Sequence, residues 1–106
     1  MTYHAYDRMG STVSEPSESV MRALLLSLHS SDPEHPDVSL THESEWCISV
    51  FGSGLAVLEN VETGEGPWHM QGVSSEAALE LWRMLAAGQI EQIRNEQWVP
   101  GYGPSA

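Results

Sequence analysis

An α+β domain, with an antiparallel sheet of four to five strands and two helices packed on it, is the fold class this sequence predicts. Three observations carry the prediction. Two stretches repeat apolar residues at helical spacing behind a serine. The chain between them alternates with a period near two, and the connections inside that middle region are short and contain glycine. At 106 residues, 41% of them hydrophobic, the chain suffices for a single core. It is read as one domain, 1–106, with 1–12 and 99–106 expected to be loosely ordered at its ends.

The elements follow in order. "TYHAY" (Thr2 to Tyr6) alternates and reads as a short edge strand or a loose arm. In "SEPSESVMRALLLSLHS" either Ser14 or Ser17 can cap a helix, Pro16 is tolerated in the first turn, and Glu15 and Glu18 suit the positive end of its dipole. Val20, Met21, Leu24, Leu25 and Leu28 then recur at helical spacing. "SSDPEHPD" stops the helix, because two closely spaced prolines cannot continue it. "VSLTHES", "EWCISVF" and "LAVLENVE" are strand-like, and "PWHMQGV" reads as a fourth strand. In the second of these Trp46, Ile48 and Val50 share one face, with Cys47, Ser49 and Phe51 on the other. "SSEAALELWRMLAAGQI" is a second helix, with Ser74 as cap, an Ala78–Leu79–Trp82–Leu85 stripe and Gly88 at the C-terminal cap. "IEQIRNEQW" is expected to add a last short strand or a turn, before a frayed tail.

Charge is the most unusual property. Fifteen Asp and Glu face four basic residues, all arginine, for a formal charge of −11. Such a field repels DNA, RNA and anionic lipid, and speeds encounter with a basic partner. The competing reading is that the acidity serves solubility. No apolar run is long enough to span a bilayer, and neither a basic n-region nor an apolar h-region marks the N-terminus. With the single cysteine, Cys47, these features make the cytoplasm the expected location.

The residue patterns that carry chemistry are weak. Gly52, Gly54, Gly64 and Gly66 form two Gly-x-Gly pairs, but a phosphate loop needs a helix N-terminus after it and usually a lysine. One pair leads into a strand-like run and the other into Pro67, so hairpin turns are the better reading. Histidines 4, 29, 35, 42 and 69 include no helical i, i+4 pair, and one cysteine cannot build a multi-thiolate site. A Cys47, His42 and Glu45 nucleophile–base arrangement meets a geometric objection, since a strand sets His42 and Cys47 on opposite faces. The pairs Glu43/Glu45 and Glu62/Glu65 read as a solvated face rather than as a catalytic acid and base. No cofactor or metal site and no enzyme activity is expected.

What remains is a surface. Between Arg22 and Arg83 there is no basic residue, and within that span Glu43, Glu45, Glu59, Glu62 and Glu65 form the candidate partner-binding set. Trp46 and Trp82 fall on apolar faces and are assigned to the core. Trp68, following the acidic turn "ETGEGP", is the candidate aromatic anchor, with burial under the sheet as its alternative.

The layout resembles the small acidic immunity proteins of bacterial polymorphic toxin systems, in the branch often paired with nucleic-acid deaminase toxins. The resemblance runs from Thr12 to Trp98. It lies in "TVSEPSESVMRALLLSL", in the central "WCISV" and "LAVLENV", and in "GVSSEAALELWRMLAAGQI" followed by Trp98. It implies a cognate inhibitor that binds a basic deaminase or nuclease toxin domain and blocks its active site or substrate groove. Carboxylates of the 43–65 region would then pair with toxin Arg and Lys beside an aromatic anchor. Alternatives are an acidic DNA-mimic inhibitor of another nucleic-acid enzyme, of the phage anti-defence type, a small ligand-binding domain or enzyme, and a subunit of a larger assembly. Oligomeric state is left open.

Overall fold

In a computed structural model, which describes residues 2–30 and 32–103, the alternating segments pair into one antiparallel sheet. Its strands are β1 (Tyr3–Tyr6), β2 (Thr12–Ser14), β3 (Asp37–His42), β4 (Trp46–Phe51), β5 (Ala56–Asn60), β6 (Trp68–Met70) and β7 (Val99–Pro100), in the spatial order β2-β1-β3-β4-β5-β6-β7. Helix α1 (Glu18–Leu26) runs on into a 3-10 turn at Ser27–His29, and α2 (Ser75–Ala86) and α3 (Ile90–Arg94) fill the connection from β6 to β7.

The α+β class with an antiparallel sheet is therefore observed, while the expected four to five strands and two helices become seven and three. The reasons are physical. Strand β2 has three residues and β7 two, too few to show an alternation. Helix α3 replaces the short strand or turn expected over Ile90–Trp98. Five residues cannot sustain a helix alone; this one is held by the fully buried Ile93 and by the Trp98 indole N–H, which donates to the Ile93 carbonyl at 2.7 Å. Within the stretches expected to be loosely ordered, Tyr3–Tyr6 pairs on both sides, with β2 and β3, and Val99 pairs with His69. Met1 and residues 104–106 lie outside the described residues.

The longer helices start where their serines dictate. Ser17 accepts the Val20 amide and Ser74 accepts the Ala77 amide, each cap worth about 1 kcal/mol. Register Ala5↔Leu40↔Ile48↔Leu58 sets one row across the sheet, and Val38↔Val50 the next. These side chains join Met21, Leu25, Leu79, Trp82 and Leu85 in one core, so the helices cover a single face. Trp82 lies at its centre, fully buried, and donates its indole N–H to the Ile48 carbonyl at 3.1 Å. Of the expected α1 stripe, Met21, Leu25 and Leu28 are buried, Leu24 is half-buried and Val20 is exposed. The opposite face carries Ser39, Thr41, Cys47, Ser49, Val57, Glu59 and His69, the alternate positions of the same strands.

Candidate functional site

One end of the sheet collects carboxylates. The β3–β4 hairpin turns through Glu43, Ser44 and Glu45, and the β5–β6 loop runs from Val61 to Pro67. The two are tied together: the Val61 amide donates to the Glu45 carbonyl at 3.0 Å and the Asn60 side-chain amide to the Ser44 carbonyl at 3.2 Å. Asn60 also accepts the Glu62 and Thr63 amides, holding the loop that presents Glu62. Glu43 accepts from the Thr2 backbone amide, and the Glu15 amide donates to the Tyr3 carbonyl at 3.0 Å. That last bond adds Glu15, at the exit of β2, to the row. Strands stand about 4.8 Å apart, so Glu15, Glu43, Glu45 and Glu62 are spread over roughly 19 Å from β2 to β5.

Two of these glutamates hold left-handed backbone, Glu15 at φ 43° and Glu45 at φ 72°; among the described residues no other non-glycine does so. The Glu45 amide donates to the His42 carbonyl at 2.8 Å, closing a turn followed by a left-handed residue. Hairpins of this three-residue kind favour glycine there. Val61, 57% exposed, lies between Glu45 and Glu62 and supplies the apolar surface of this end. Neither Glu15 nor Val61 was legible as part of the surface, because β2 gives no strand signal and a single exposed valine is ordinary.

The remaining sequence-assigned residues stand elsewhere. Glu59 points to the helix-free face, where the Tyr102 hydroxyl donates to its carboxylate at 3.1 Å; the charge of Glu59 pushes the Tyr102 phenol above its ordinary value. Glu65 lies 3.6 Å from Arg94. Trp68 is half-buried on the helix-covered face, stacked on Trp46 at 6.1 Å between ring centroids. The Arg94 guanidinium sits over both indoles, 5.1 Å from the Trp46 ring and 5.6 Å from Trp68. Trp68 is thus part of a cation–aromatic cluster rather than a free-standing anchor. Beside it a cavity of about 200 Å³ is lined by Leu58, Trp68, Arg94, Glu96 and Trp98.

The arginines are committed. Arg22 pairs with Glu18 on its own helix and with Glu76 on α2, and Arg83 pairs with Glu80 on its own helix and with Glu18 on α1, so each arginine joins α1 with α2. Arg8 donates to the carbonyls of Ser27, Ser30 and His35 at the end of the sheet opposite the acidic row. A cleft of about 370 Å³ opens there between Arg8, His29, Asp32 and Phe51. Asp32 is held below the ordinary carboxylate value, chiefly by its hydrogen bond to His35.

Catalytic chemistry finds little to use. Cys47 is buried on the helix-free face, and burial pushes its thiol upward, against hydrogen bonds from Thr41 and Ser49. That disfavours the nucleophilic thiolate. His42 lies on the other side of the sheet, its Nδ1 accepting the Ser44 amide at 3.1 Å and its Nε2 buried with no partner. Among the described residues no group of three or more His, Cys, Asp or Glu side chains is placed to hold a metal, and no helix is long and apolar enough to cross a membrane. Comparison of the chain with protein-family models, curated proteins and solved structures gives no significant match.

Proposed function

We propose that this chain is an immunity-type inhibitor: an acidic protein that binds a basic, nucleic-acid-targeting toxin domain, a deaminase or nuclease, and occludes its substrate groove. The observation that supports this reading is the row Glu15, Glu43, Glu45 and Glu62 along one sheet end, while three of the four arginines are committed elsewhere. A groove that holds a nucleic-acid backbone presents Arg and Lys at intervals. A row of carboxylates about 19 Å wide can take those partners in place of phosphates. Charge then sets the encounter rate, and the packed centre, with Val61 in it, sets the lifetime.

The test is capture with tagged protein from the native host at low and high salt, followed by assay of whatever is captured. The reading requires a basic enzyme domain near one-to-one, inhibited by the chain and released from inhibition by the triple variant E43K/E45K/E62K, with association slowed at least roughly tenfold. Capture of a restriction, repair or defence enzyme would favour the DNA-mimic alternative. A captured enzyme inhibited equally well by the triple variant would move the interface away from this end.

A further inference from the structure

The cleft beside Arg94 has the composition of an organic-cation site. It is lined by Leu58, Trp68, Trp98, Glu96 and Arg94 itself. Indole faces attract cations through their negative π surface, and a neighbouring carboxylate neutralises the charge that enters. The protein itself already makes one such contact: Arg94 lies over Trp46 and Trp68, with Glu65 at 3.6 Å as its counter-ion. That resident guanidinium is held at its tip rather than buried, for the Arg94 side chain is 40% exposed. It stems from the last residue of the five-residue helix α3, outside the sheet. It also lines the cavity of about 200 Å³, so its departure would open that space further.

Location adds a second argument. Glu65, the counter-ion of Arg94, belongs to the same β5–β6 loop that presents Glu62, so one loop links the resident guanidinium to the acidic end. With a net charge of −11 the field at this end excludes anionic ligands and concentrates cations. Arginine suits the walls better than lysine, because its planar, weakly hydrated guanidinium stacks on indole.

We propose that the Trp68–Trp98 cleft receives an arginine side chain of the basic partner, and that Arg94 occupies the neighbouring aromatic faces as a stand-in that yields to it. This rests on the basic-partner reading above. It adds the specific anchor which that reading lacks: Val61 and the glutamates give contact and charge, and the cleft gives recognition of one side chain.

The probe is a blocked glycyl-arginyl-glycine tripeptide, with the citrulline tripeptide as its uncharged isostere, followed through the indole N–H resonances of the full chain. In the wild type the arginine peptide should shift the Trp68 and Trp98 signals saturably and the citrulline peptide should not. Arg94→Gln, which removes the competitor, should bind the arginine peptide about tenfold more tightly. Glu96→Gln in that background, which removes the carboxylate at the cleft and keeps its size, should weaken the effect. Absence of a saturable shift in the wild type and in Arg94→Gln, or equal binding of the citrulline peptide, overturns the proposal. Should Arg94→Gln fail to fold, as its amide spectrum would show, the wild-type titration decides alone. Because the probe is a single side chain, its outcome is separable from the capture experiment. Tripeptide binding without a protein partner would keep the cleft and remove the inhibitor reading. An inhibited toxin without tripeptide binding would do the reverse.

Discussion

Replacing Glu45 by glycine should leave the fold as stable or more stable while weakening partner binding. The reasoning begins at the backbone. Glu45 has φ 72° at the left-handed position of a three-residue hairpin, where an L side chain costs about 1–2 kcal/mol. Glycine removes that cost but loses about 0.5–1 kcal/mol through its freer unfolded chain. Neither hydrogen bond that fixes the turn uses the side chain: the Glu45 amide donates to the His42 carbonyl, and the Glu45 carbonyl accepts the Val61 amide. Removing one negative charge from a body of net −11 adds a few tenths of a kcal/mol at low salt. The net expectation is a gain of roughly 0–2 kcal/mol, a rise in Tm of up to about 10 °C for a chain of this size. Thermal melts followed by circular dichroism at low and high salt measure it. Glu45→Ala separates the two contributions, since it removes the charge and keeps the strained φ. A fall in Tm of more than about 4 °C for Glu45→Gly would refute the reasoning, by showing that the side chain stabilises the turn. A stability gain accompanied by slower association would instead identify Glu45 as a residue retained against local backbone preference for the sake of binding.

Three further outcomes follow from packing and burial. Trp82→Ala should cost about 3–5 kcal/mol in urea unfolding, and Trp82→Phe about 1–2 kcal/mol through the lost indole bond to the Ile48 carbonyl; a Trp82→Phe variant as stable as the wild type would mean that the hydrogen bond contributes nothing. Gly66→Ala should destabilise more than Gly64→Ala. Both have positive φ, but an added Cβ at Gly66 would lie 2.9 Å from the Leu58 carbonyl oxygen and 3.0 Å from the Trp68 ring, whereas at Gly64 it meets open space; equal melting temperatures would contradict this. Cys47, 8% exposed, should resist a thiol reagent until the protein unfolds. Its thiol titrates above the ordinary 9.0, so stability from the neutral folded form is complete below that pH and is lost as pH rises through the folded value. Urea midpoints of wild type and Cys47→Ala should therefore converge above pH 9.0, and parallel profiles would exclude the effect.

The parts of the fold that could be read in the sequence are those whose signal is local. Ser17 and Ser74 cap their helices by bonds to residues three positions on, and β3, β4 and β5 alternate over five or six residues. The parts that escaped depend on tertiary contacts that leave no repeating local pattern. Helix α3 exists because Ile93 is buried and Trp98 bonds to it, and β7 exists because Val99 meets His69. The candidate surface divides in the same way. Glu43, Glu45 and Glu62 could be grouped because neighbouring strands end together. Glu59 could be separated from them by alternation alone, since it shares its face with Val57. That Glu15 joins the row follows only from β2–β1–β3 pairing, and that Trp68 carries Arg94 follows only from the packing of α3.

Strong acidity and structural order coexist here because the few cations present are all arginines with several partners each. Arg8 spans three backbone carbonyls at 2.6–2.8 Å, joining the β1–β2 loop to the 3-10 turn and the segment after it. Arg22 and Arg83 each bridge two carboxylates and together join α1 to α2. Arg94 joins α3 to two indoles and to the β5–β6 loop. A lysine ammonium is a compact point charge without a rigid planar fork, so joining as many segments with lysines would take more cations. More cations would erode the negative field. Exposed ion pairs contribute only about 0–1 kcal/mol each, so these arginines act less as a source of stability than as ties that fix the positions of segments. Their placement leaves Glu45 and Glu62 at the sheet end without a cationic side chain beside them. The one arginine near that end, Arg94, lies on the aromatic cleft where an incoming guanidinium would compete with it.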